Sequence, residues 1–412
     1  MKKDRKSFKK ILCITALVPL LFLSACSGNG SSSSSNSGSG NATDEKAEVI
    51  KVGITAPMSG AAANWGITQE WVAKQAANEI NEKGGVTVDG KKYIFEVVAY
   101  DNKYNSTGGA QVAQTLINKD KVKFIVGSVG SAPTQALQTL SEKAKILHFT
   151  SAWSPAIKGN DFPYTYTTLN TPNEVIDPLV TYILEQNKGL KSVAVINPND
   201  ASGLDTAKVA LKVWKEKGLN IVVEDYYERG TTEFSQIVTK ILAEKPDIID
   251  LGGSPPGDAG LILKSLEEQG WDGVKLIGAG TSGDQLVEAA GEAAEGVYLG
   301  LAPDFTGDTA TERQKDLAKR AKEEINETLN SISMQPYEAM MALKAAIDES
   351  GTLDSDKLKE ALAKVEVDSS FGVTKFGGED LYGFPQQLLL PVTVTQIIDG
   401  ASVEVNRIST NQ

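Results

Sequence analysis

The strongest constraint on the fold is an alternation of strand and helix patterns that begins at residue 49 and later starts again. The first series opens with the apolar segment Val49–Ala56, followed by helical spacing over Gly66–Asn81. The second opens with a helical pattern at Pro172–Gln186 and a strand pattern at Ser192–Ile196. Strands that alternate with helices in this way form a mostly parallel sheet with helices on both faces. The sequence therefore predicts an α/β protein with two doubly wound parallel-sheet lobes.

The end of the chain holds too few elements for a third lobe of this kind. Three helical patterns are followed by two strand patterns, at Thr309–Leu329, Gln335–Glu349, Ser355–Val365, Leu388–Ile398 and Ser402–Ile408. The dipeptide Asp399-Gly400 between the two strand patterns is typical of a hairpin turn. We expect these late elements to complete the two lobes.

Residues 1–25 have the layout of an export signal. Six bases lie within Met1–Lys10, and the apolar run Ile11–Leu23 that follows has 13 residues, short of the roughly 20 that a membrane-spanning helix needs. The segment then ends in Leu23-Ser24-Ala25-Cys26, which resembles the bacterial lipoprotein signal. We predict that Cys26 carries the lipid and that residues 26–48, rich in Ser and Gly, form a tether. The alternative is an ordinary signal with a chance cysteine.

Composition excludes several classes of function. Without residues 1–25 the chain holds 35 Lys and Arg against 52 Asp and Glu, a net charge of −17, which disfavours a nucleic-acid partner. Cys13 leaves with the signal and Cys26 is taken by lipid, so neither a disulfide nor a cysteine metal site is expected. His148 is the one histidine and lies within an apolar strand pattern, where a structural role is expected. The sequence predicts no metal and no cofactor.

The loops at the carboxyl ends of the predicted strands are the candidate binding region, because ligands of open α/β sheets bind there. Most are rich in Gly, Ser, Pro or Thr, and they comprise Ala56–Gly66, Ser128–Pro133, Ser151–Pro155, Asn197–Gly203, Gly252–Gly257 and Gly278–Gly283. Such loops suit a small polar or anionic group at helix N-termini, although each alone is typical of an ordinary turn. Trp65 and Trp153 lie in two of them. Each forms either an aromatic wall for the ligand or a packing contact with a neighbouring loop.

Several segments resemble the Leu/Ile/Val-binding family, the extracytoplasmic solute-binding proteins of amino-acid ABC importers with the type I periplasmic-binding-protein fold. The resemblance covers nearly all of the chain after the tether and rests on Val52–Gly60, Ala77–Gly85, Tyr100–Asn102, Ile125–Ser128 and Ser131–Thr134. It implies two lobes joined by a three-crossover hinge, with lobe 1 at 49–171 and 304–384 and lobe 2 at 172–303 and 385–412. It also implies a monomer that works with a membrane permease and ATPases.

The resemblance also implies a binding site in lobe 1. Ser131 and the segment Ala152-Trp153-Ser154 match the family positions that hold the carboxylate and ammonium of the ligand. Trp65 matches the aromatic residue that covers the ligand.

Lobe 2 departs from the amino-acid pattern. Ser202 stands where amino-acid binders commonly have a Tyr, and Gly280 stands where they have an acid for the ammonium. Ser254 completes the expected set of ligand-binding residues. An unpaired ammonium in a closed cleft is costly, so either an acid such as Asp284 or Glu338 replaces the missing partner or the ligand has no ammonium.

We therefore predict an exported, lipid-anchored solute-binding protein on the outer face of the membrane that binds a branched-chain or other hydrophobic amino acid. An aromatic carboxylate or a small amide is the alternative ligand, and a ligand-sensing receptor domain is the lesser alternative function. The pattern G-x-G-x-x-G at Gly278–Gly283 fits a dinucleotide site in isolation. It lies far from a first strand-to-helix turn, and the chain has no G-x-S-x-G motif, so no enzymatic activity is expected.

Overall fold

The computed structural model describes residues 47–410 of the chain, so the predicted signal, Cys26 and nearly all of the tether lie outside the described residues. Within that part, no helix combines the length and the apolar character that crossing a membrane requires.

Strands are distributed along the whole of the described chain. They are β1 (Glu48–Ala56), β2 (Val86–Val88), β3 (Lys91–Asp101), β4 (Phe124–Ser128), β5 (His148–Thr150), β6 (Thr165–Thr167), β7 (Ser192–Pro198), β8 (Asn220–Tyr227), β9 (Ile248–Asp250), β10 (Val274–Ile277), β11 (Tyr298–Leu299), β12 (Val367–Ser369), β13 (Gly372–Thr374), β14 (Phe376–Gly377), β15 (Gln387–Leu388), β16 (Val392–Ile398) and β17 (Ala401–Ile408).

Helices alternate with the strands. They are α1 (Ala63–Glu82), α2 (Ser106–Gln114), α3 (Ser131–Ser141), α4 (Pro172–Gln186), α5 (Ala201–Glu216), α6 (Ser235–Glu244), α7 (Pro256–Glu268), α8 (Gly283–Ala290), α9 (Glu312–Glu324), α10 (Ser331–Ser350), α11 (Ser355–Leu362) and α12 (Glu379–Tyr382).

Most of the strands form two large sheets, and each of these sheets with its helices makes one lobe; β12 and β13 pair separately as a small antiparallel sheet. The first lobe has the strand order β14-β15-β6-β5-β4-β1-β3-β2 and the second has the order β17-β16-β11-β10-β9-β7-β8. The central pairs of both sheets are parallel, and antiparallel strands lie only at the edges. The predicted α/β class with two doubly wound lobes is confirmed.

In both sheets the strand order reverses beside a central strand. In the first lobe β1 lies between β3 and β4, and in the second β7 lies between β8 and β9. A crevice opens at such a reversal, because the loops that leave the two neighbouring strands turn to opposite faces of the sheet. This places the loops after β4 and β7 at the natural ligand position of each lobe.

The chain passes between the sheets at three places: after β6, after β11 and after β15. The third passage follows Leu388, a few residues beyond the crossing that was expected at Phe384, because β15 pairs with β6 and β14 in the first sheet. The lobe boundaries given above stay predictions. Segments of all three passages line a small cavity of about 20 Å³, together with Glu338.

Local sequence signals explain most of the element ends. The helix predicted at Pro172–Gln186 has those bounds in the structure, and Thr171 and Glu174 form its capping box. The Asp399-Gly400 turn joins β16 to β17 with both residues at positive φ, 53° and 72°, as a tight hairpin requires. His148 is fully buried, and its Nε2 lies 2.7 Å from Ser128 Oγ, which confirms the structural role.

One predicted helix is shorter than its apolar and charged pattern indicated. The prediction placed a helix over Thr309–Leu329, whereas α9 is capped by Thr311 and ends at Glu324. Asn326 then takes a left-handed conformation, with φ of 54°, which an α-helix cannot contain. The next helix, α10, begins four residues earlier than Gln335, because Asn330 accepts a hydrogen bond from the Ser333 amide and caps it there.

Candidate functional site

Three of the serines predicted from the sequence meet between the lobes. Ser131 is the first residue of α3 after β4, and Ser202 lies in the first turn of α5 after β7. Their Oγ atoms are 2.9 Å apart. Ser131 Oγ also accepts a hydrogen bond from the Ser154 amide at 3.2 Å. We call Ser131, Ser154 and Ser202 the serine cluster; it lies at the strand-order reversal of both sheets and at two helix N-termini.

Trp153 reaches from the first lobe to the second. Its indole lies against the backbone of Gly253, where an added Cβ would be 3.7 Å from Cζ3 of the ring. The side chain is 9% exposed. Neither the Trp153 Nε1 donor nor the neighbouring Ser254 Oγ has a hydrogen-bond partner among residues 47–410. Buried polar atoms are nearly always hydrogen-bonded, so these two groups are candidates to bind a ligand.

Asn197 supports the same part of the site from below. Its Oδ1 accepts a hydrogen bond from the Gly253 amide at 2.9 Å, which fixes the loop under Trp153. The Asn197 Nδ2 group is buried and has no partner within the described part of the chain. Asn197 is the residue before the last in β7 and lies in the segment Asn197–Gly203 that the sequence predicts as a candidate binding loop. Its polarity alone gave no signal that distinguished it from other residues of that segment.

The remaining predicted site residues also make hydrogen bonds or packing contacts that stabilise the fold. Ala152 donates its amide to Thr150 Oγ1 at 2.9 Å, and Ser154 Oγ accepts from the Ala156 amide at 3.2 Å. Gly280 is buried next to Leu299, where an added Cβ would lie 2.4 Å from Cδ2 of the leucine. The tight packing explains why no acidic side chain stands at Gly280.

The two acids considered as replacements lie elsewhere. Glu338 is buried, accepts a hydrogen bond from the Ser370 amide at 3.0 Å and lines the small cavity at the crossovers. Burial raises the pKa of Glu338 to about 7, although the Ser370 hydrogen bonds oppose that change. Asp284 is exposed and lines a separate depression with Asp304. Neither carboxylate is hydrogen-bonded to the serine cluster.

Trp65 and Tyr104 form an aromatic wall on the first-lobe side. The ring centroids are 5.8 Å apart, and Trp65 is 8% exposed in the first turn of α1. Tyr104 has a positive φ of 54°, which is uncommon for a bulky residue, and its amide donates to Asn102 Oδ1 at 2.9 Å. Held in this way, the Tyr104 side chain lies beside Ser202 and Arg229 of the second lobe.

Arg229 is the main residue that sequence reasoning missed. It follows β8, its Nε donates to Asp200 Oδ2 at 2.5 Å, and its guanidinium carbon is 5.5 Å from the Tyr104 ring centroid. Burial would raise the pKa of Asp200, but the arginine and the α5 amides lower it below its ordinary value. One sequence signal could have identified Arg229: a basic residue soon after β8, a strand next to the reversal strand β7. The loop after β8 is not among the six candidate binding loops named above.

A cavity of about 550 Å³ opens beside this wall. The first lobe contributes Asn64, Trp65 and Tyr104, and the second contributes Arg229, Pro255 and Gln285 among others. Asn64 Oδ1 accepts a hydrogen bond from Gln285 Nε2 at 3.2 Å across its floor. Within residues 47–410 no group of three or more His, Cys, Asp or Glu side chains is placed to hold a metal ion. The aromatic rings, the guanidinium and the amide side chains that line the cavity suit binding of an organic solute.

The family model described as periplasmic binding protein matches residues 49–400. The chain belongs to this family. It is 28% identical, over 77% of its length and 82% of the relative's, to the leucine-, isoleucine-, valine-, threonine- and alanine-binding protein of Pseudomonas aeruginosa. It is 26% identical to the Leu/Ile/Val-binding protein of Escherichia coli K12, over 82% of this chain and 89% of that protein. These relatives are solute-binding proteins and not enzymes.

Solved structures of periplasmic binding proteins share the fold. The branched-chain amino acid transporter substrate-binding protein of Streptococcus pneumoniae, in complex with isoleucine, superposes with a TM-score of 0.72 at 23% identity, over 88% of this chain and 99% of that one. A solute-binding protein of an ABC transporter from Rhodopseudomonas palustris BisB5, in complex with 3,4-dihydroxybenzoic acid, gives a TM-score of 0.73 at 23% identity, over 88% and 98%. The family is that of extracytoplasmic, substrate-binding components of ABC transporters, and the resemblance noted from the sequence is confirmed.

Proposed function

We propose that the protein captures a small carboxylate-bearing solute, of the amino-acid type, between its lobes and delivers it to an ABC importer. The observation that carries the proposal is the serine cluster, in which hydroxyl groups of both lobes converge at 2.9 Å. Ser131 and Ser154 would hold the carboxylate from the first lobe with help from the N-terminus of α3. Ser202, Ser254 and the Gly280 loop would approach it from the second.

Closure of the lobes follows from this arrangement. A ligand can contact Ser131 of the first lobe and Ser202 of the second at the same time only when the lobes are closed. The ligand therefore stabilises the closed form by its differential affinity for the two forms. Trp65 and Trp153 would exclude water from the ligand, and Ala152 would line the first-lobe side.

An aromatic carboxylate or a small amide is the second candidate ligand. A specific observation favours it: among residues 47–410 no acid is hydrogen-bonded to the hydroxyl groups of the serine cluster. The nearby Asp200 carboxylate caps α5 and is already paired with Arg229, so an α-ammonium has no evident anionic partner there. The wall of Trp65 and Tyr104 also suits a planar group. The Rhodopseudomonas relative of the same fold binds 3,4-dihydroxybenzoic acid.

The proposal includes the place of action. Cys26, which lies outside the described residues, would carry lipid after cleavage of residues 1–25. The body would then stay on the outer face of the membrane as a monomer on a flexible tether. Its closed form would dock on a membrane permease, which is driven by cytoplasmic ATPases.

A thermal-shift screen over amino acids, aromatic acids and amides tests the function. Hydrophobic amino acids that raise the melting temperature would support the first ligand class, and a response to benzoate-like acids alone would support the second. Ser154→Ala and Trp65→Ala should abolish the shift without unfolding the protein. Turnover of any ligand, or normal binding by both variants, would contradict the proposal.

A further inference from the structure

The cavity beside the aromatic wall is large enough to receive part of a solute bound at the serine cluster. We call it the Arg229 pocket and define it by Trp65, Tyr104, Arg229, Pro255 and Gln285. Its volume of about 550 Å³ falls in the range of roughly 300–1,000 Å³ found for small-molecule sites. Tyr104 joins it to the serine cluster, because this side chain lies beside Ser202.

Arg229 supplies hydrogen-bond donors to this pocket. Its single side-chain hydrogen bond to a described residue runs from Nε to Asp200 at 2.5 Å, which leaves both terminal NH₂ groups without a partner in residues 47–410. The position of the guanidinium is fixed, because Asp200 is itself held by the Gly203 amide at 2.9 Å and the Tyr104 ring lies below the group. A fixed guanidinium with unused N–H groups recognises oxygen acceptors.

The charge around the guanidinium limits which acceptor fits. Asp200 balances the charge of Arg229, and Asp258, 8% exposed, lies close by with its Oδ2 3.3 Å from the Gly230 amide. Glu288 adds a further negative charge at the rim. A second carboxylate or a phosphate on the solute would meet this excess of negative charge. An uncharged oxygen would gain the hydrogen bonds without the repulsion.

We propose that the Arg229 pocket binds an uncharged oxygen acceptor, an amide carbonyl or a hydroxyl, at the end of the solute remote from its carboxylate. The inference rests on the proposed function, because it takes the serine cluster as the carboxylate site. The middle of the solute would lie between Trp65 and Pro255 and is therefore apolar or planar. The substrate class is thus a carboxylate with a polar, uncharged far end.

Matched ligand pairs test this inference by isothermal titration calorimetry on the detergent-solubilised full-length protein. L-Glutamine is compared with L-methionine, and 4-hydroxybenzoate with 4-methylbenzoate; each pair has a similar shape and differs in the far acceptor. We expect the acceptor-bearing member of at least one pair to bind about tenfold tighter or more. Arg229→Met should remove that preference, and Arg229→Lys should retain only part of it.

The control is Lys240→Met, which removes a surface ion pair of the second lobe with Asp225 and should leave the preference unchanged. Melting curves establish that each variant is folded. If Arg229→Met does not fold, the test rests on Arg229→Lys, in which the preference for the acceptor-bearing ligand should be reduced. The inference is overturned if no pair shows a preference, or if the preference survives in Arg229→Met, while Ser154→Ala still abolishes binding. That outcome leaves the proposed function standing. Failure of all four ligands to bind, while another solute of the thermal-shift screen does bind, would overturn this inference alone. Failure of every solute of that screen to bind would overturn the proposed function and this inference together.

Discussion

Ser131 Oγ lies 2.9 Å from Ser202 Oγ, so one hydrogen bond joins the helix after β4 in the first lobe to the helix after β7 in the second. Ser131 follows β4, which lies next to the reversal strand β1 of the first sheet, and Ser202 follows β7, the reversal strand of the second. The contact therefore depends on the relative position of the lobes, and it offers a direct way to perturb closure.

Ser202→Ala should shift the ligand-free protein toward the open form. A net hydrogen bond contributes about 0.5–1.5 kcal/mol, so the ratio of closed to open molecules should fall about two- to tenfold. Small-angle X-ray scattering would detect the change as a larger radius of gyration. Ser235→Ala, at an exposed position on α6, is the matched control. An unchanged scattering curve for Ser202→Ala would show that this bond does not influence closure.

Trp153→Phe should weaken ligand binding about tenfold with little loss of stability. The substitution keeps a ring against Gly253 but removes the indole N–H, which has no protein partner among residues 47–410. Calorimetric titration and melting curves measure the two effects separately. Trp271→Phe is the control, because the Trp271 indole N–H donates a hydrogen bond to the Pro246 carbonyl at 3.1 Å. Its loss should lower the stability of the protein and leave the affinity for the ligand unchanged. Equal affinities of wild type and Trp153→Phe would exclude the indole N–H from ligand recognition.

Glu338 should make the protein less stable as pH rises through the weakly acidic range. Burial raises its pKa from 4.5 to about 7, so between these values the unfolded chain loses a proton that the folded protein keeps. The Glu338→Gln variant lacks this titration. Its unfolding free energy relative to wild type should rise by up to about 3 kcal/mol between pH 4.5 and 7 and then level off. Urea unfolding over this range measures the difference, and parallel curves for the two proteins would contradict the prediction.

His148 should act in the opposite direction. Burial lowers its pKa to about 3, so the folded protein keeps the imidazole neutral while the unfolded chain binds a proton below about pH 6.5. The stabilisation is complete above pH 6.5 and is lost as pH falls toward 3. NMR titration of the single imidazole should show no protonation between pH 8 and 5, and a midpoint near 6.5 would refute the assignment.

Lipid attachment at Cys26 is tested by metabolic labelling. Cells given radiolabelled palmitate should label the wild-type protein, and Cys26→Ala should abolish incorporation. Cys13→Ala provides the control, because the sequence predicts that this residue is removed with the signal. Label that persists in Cys26→Ala would place the lipid elsewhere or attribute it to another protein.

The sequence predicted the architecture well, because the spacing of apolar residues that distinguishes a strand from a helix can be recognised within each segment on its own. The bounds of α4 were read directly, since Thr171, Pro172 and Glu174 form an N-terminal signature. The small hairpin of β2 and β3 was missed as a pair, although Asp89 and Gly90 in its turn have the positive φ values, 49° and 79°, that their residue types favour. Three-residue strands carry too little periodicity to be recognised alone.

The candidate site was only partly predictable. The position of a loop after a parallel strand is a local property, so the sequence predicted the loops that contain Ser131, Trp153 and Ser202. Ser131 and Ser202 were then singled out within them by the resemblance to the Leu/Ile/Val-binding family. Arg229 was missed, because its place in the site depends on contacts of its guanidinium with Asp200 and with Tyr104 of the other lobe. These residues are 29 and 125 positions away in the sequence. The role of Glu338 was equally hidden, because its pairing with Ser370 depends on the packing of α10 against the chain near β12 and β13.

The contact of Trp153 with Gly253 has an optical consequence. The indole belongs to one lobe and rests on the bare backbone of the other, so separation of the lobes would move it from a dry surrounding into solvent. Indole emission shifts to longer wavelength when the ring is hydrated. Intrinsic fluorescence at this residue would therefore follow the hinge in real time without any attached dye.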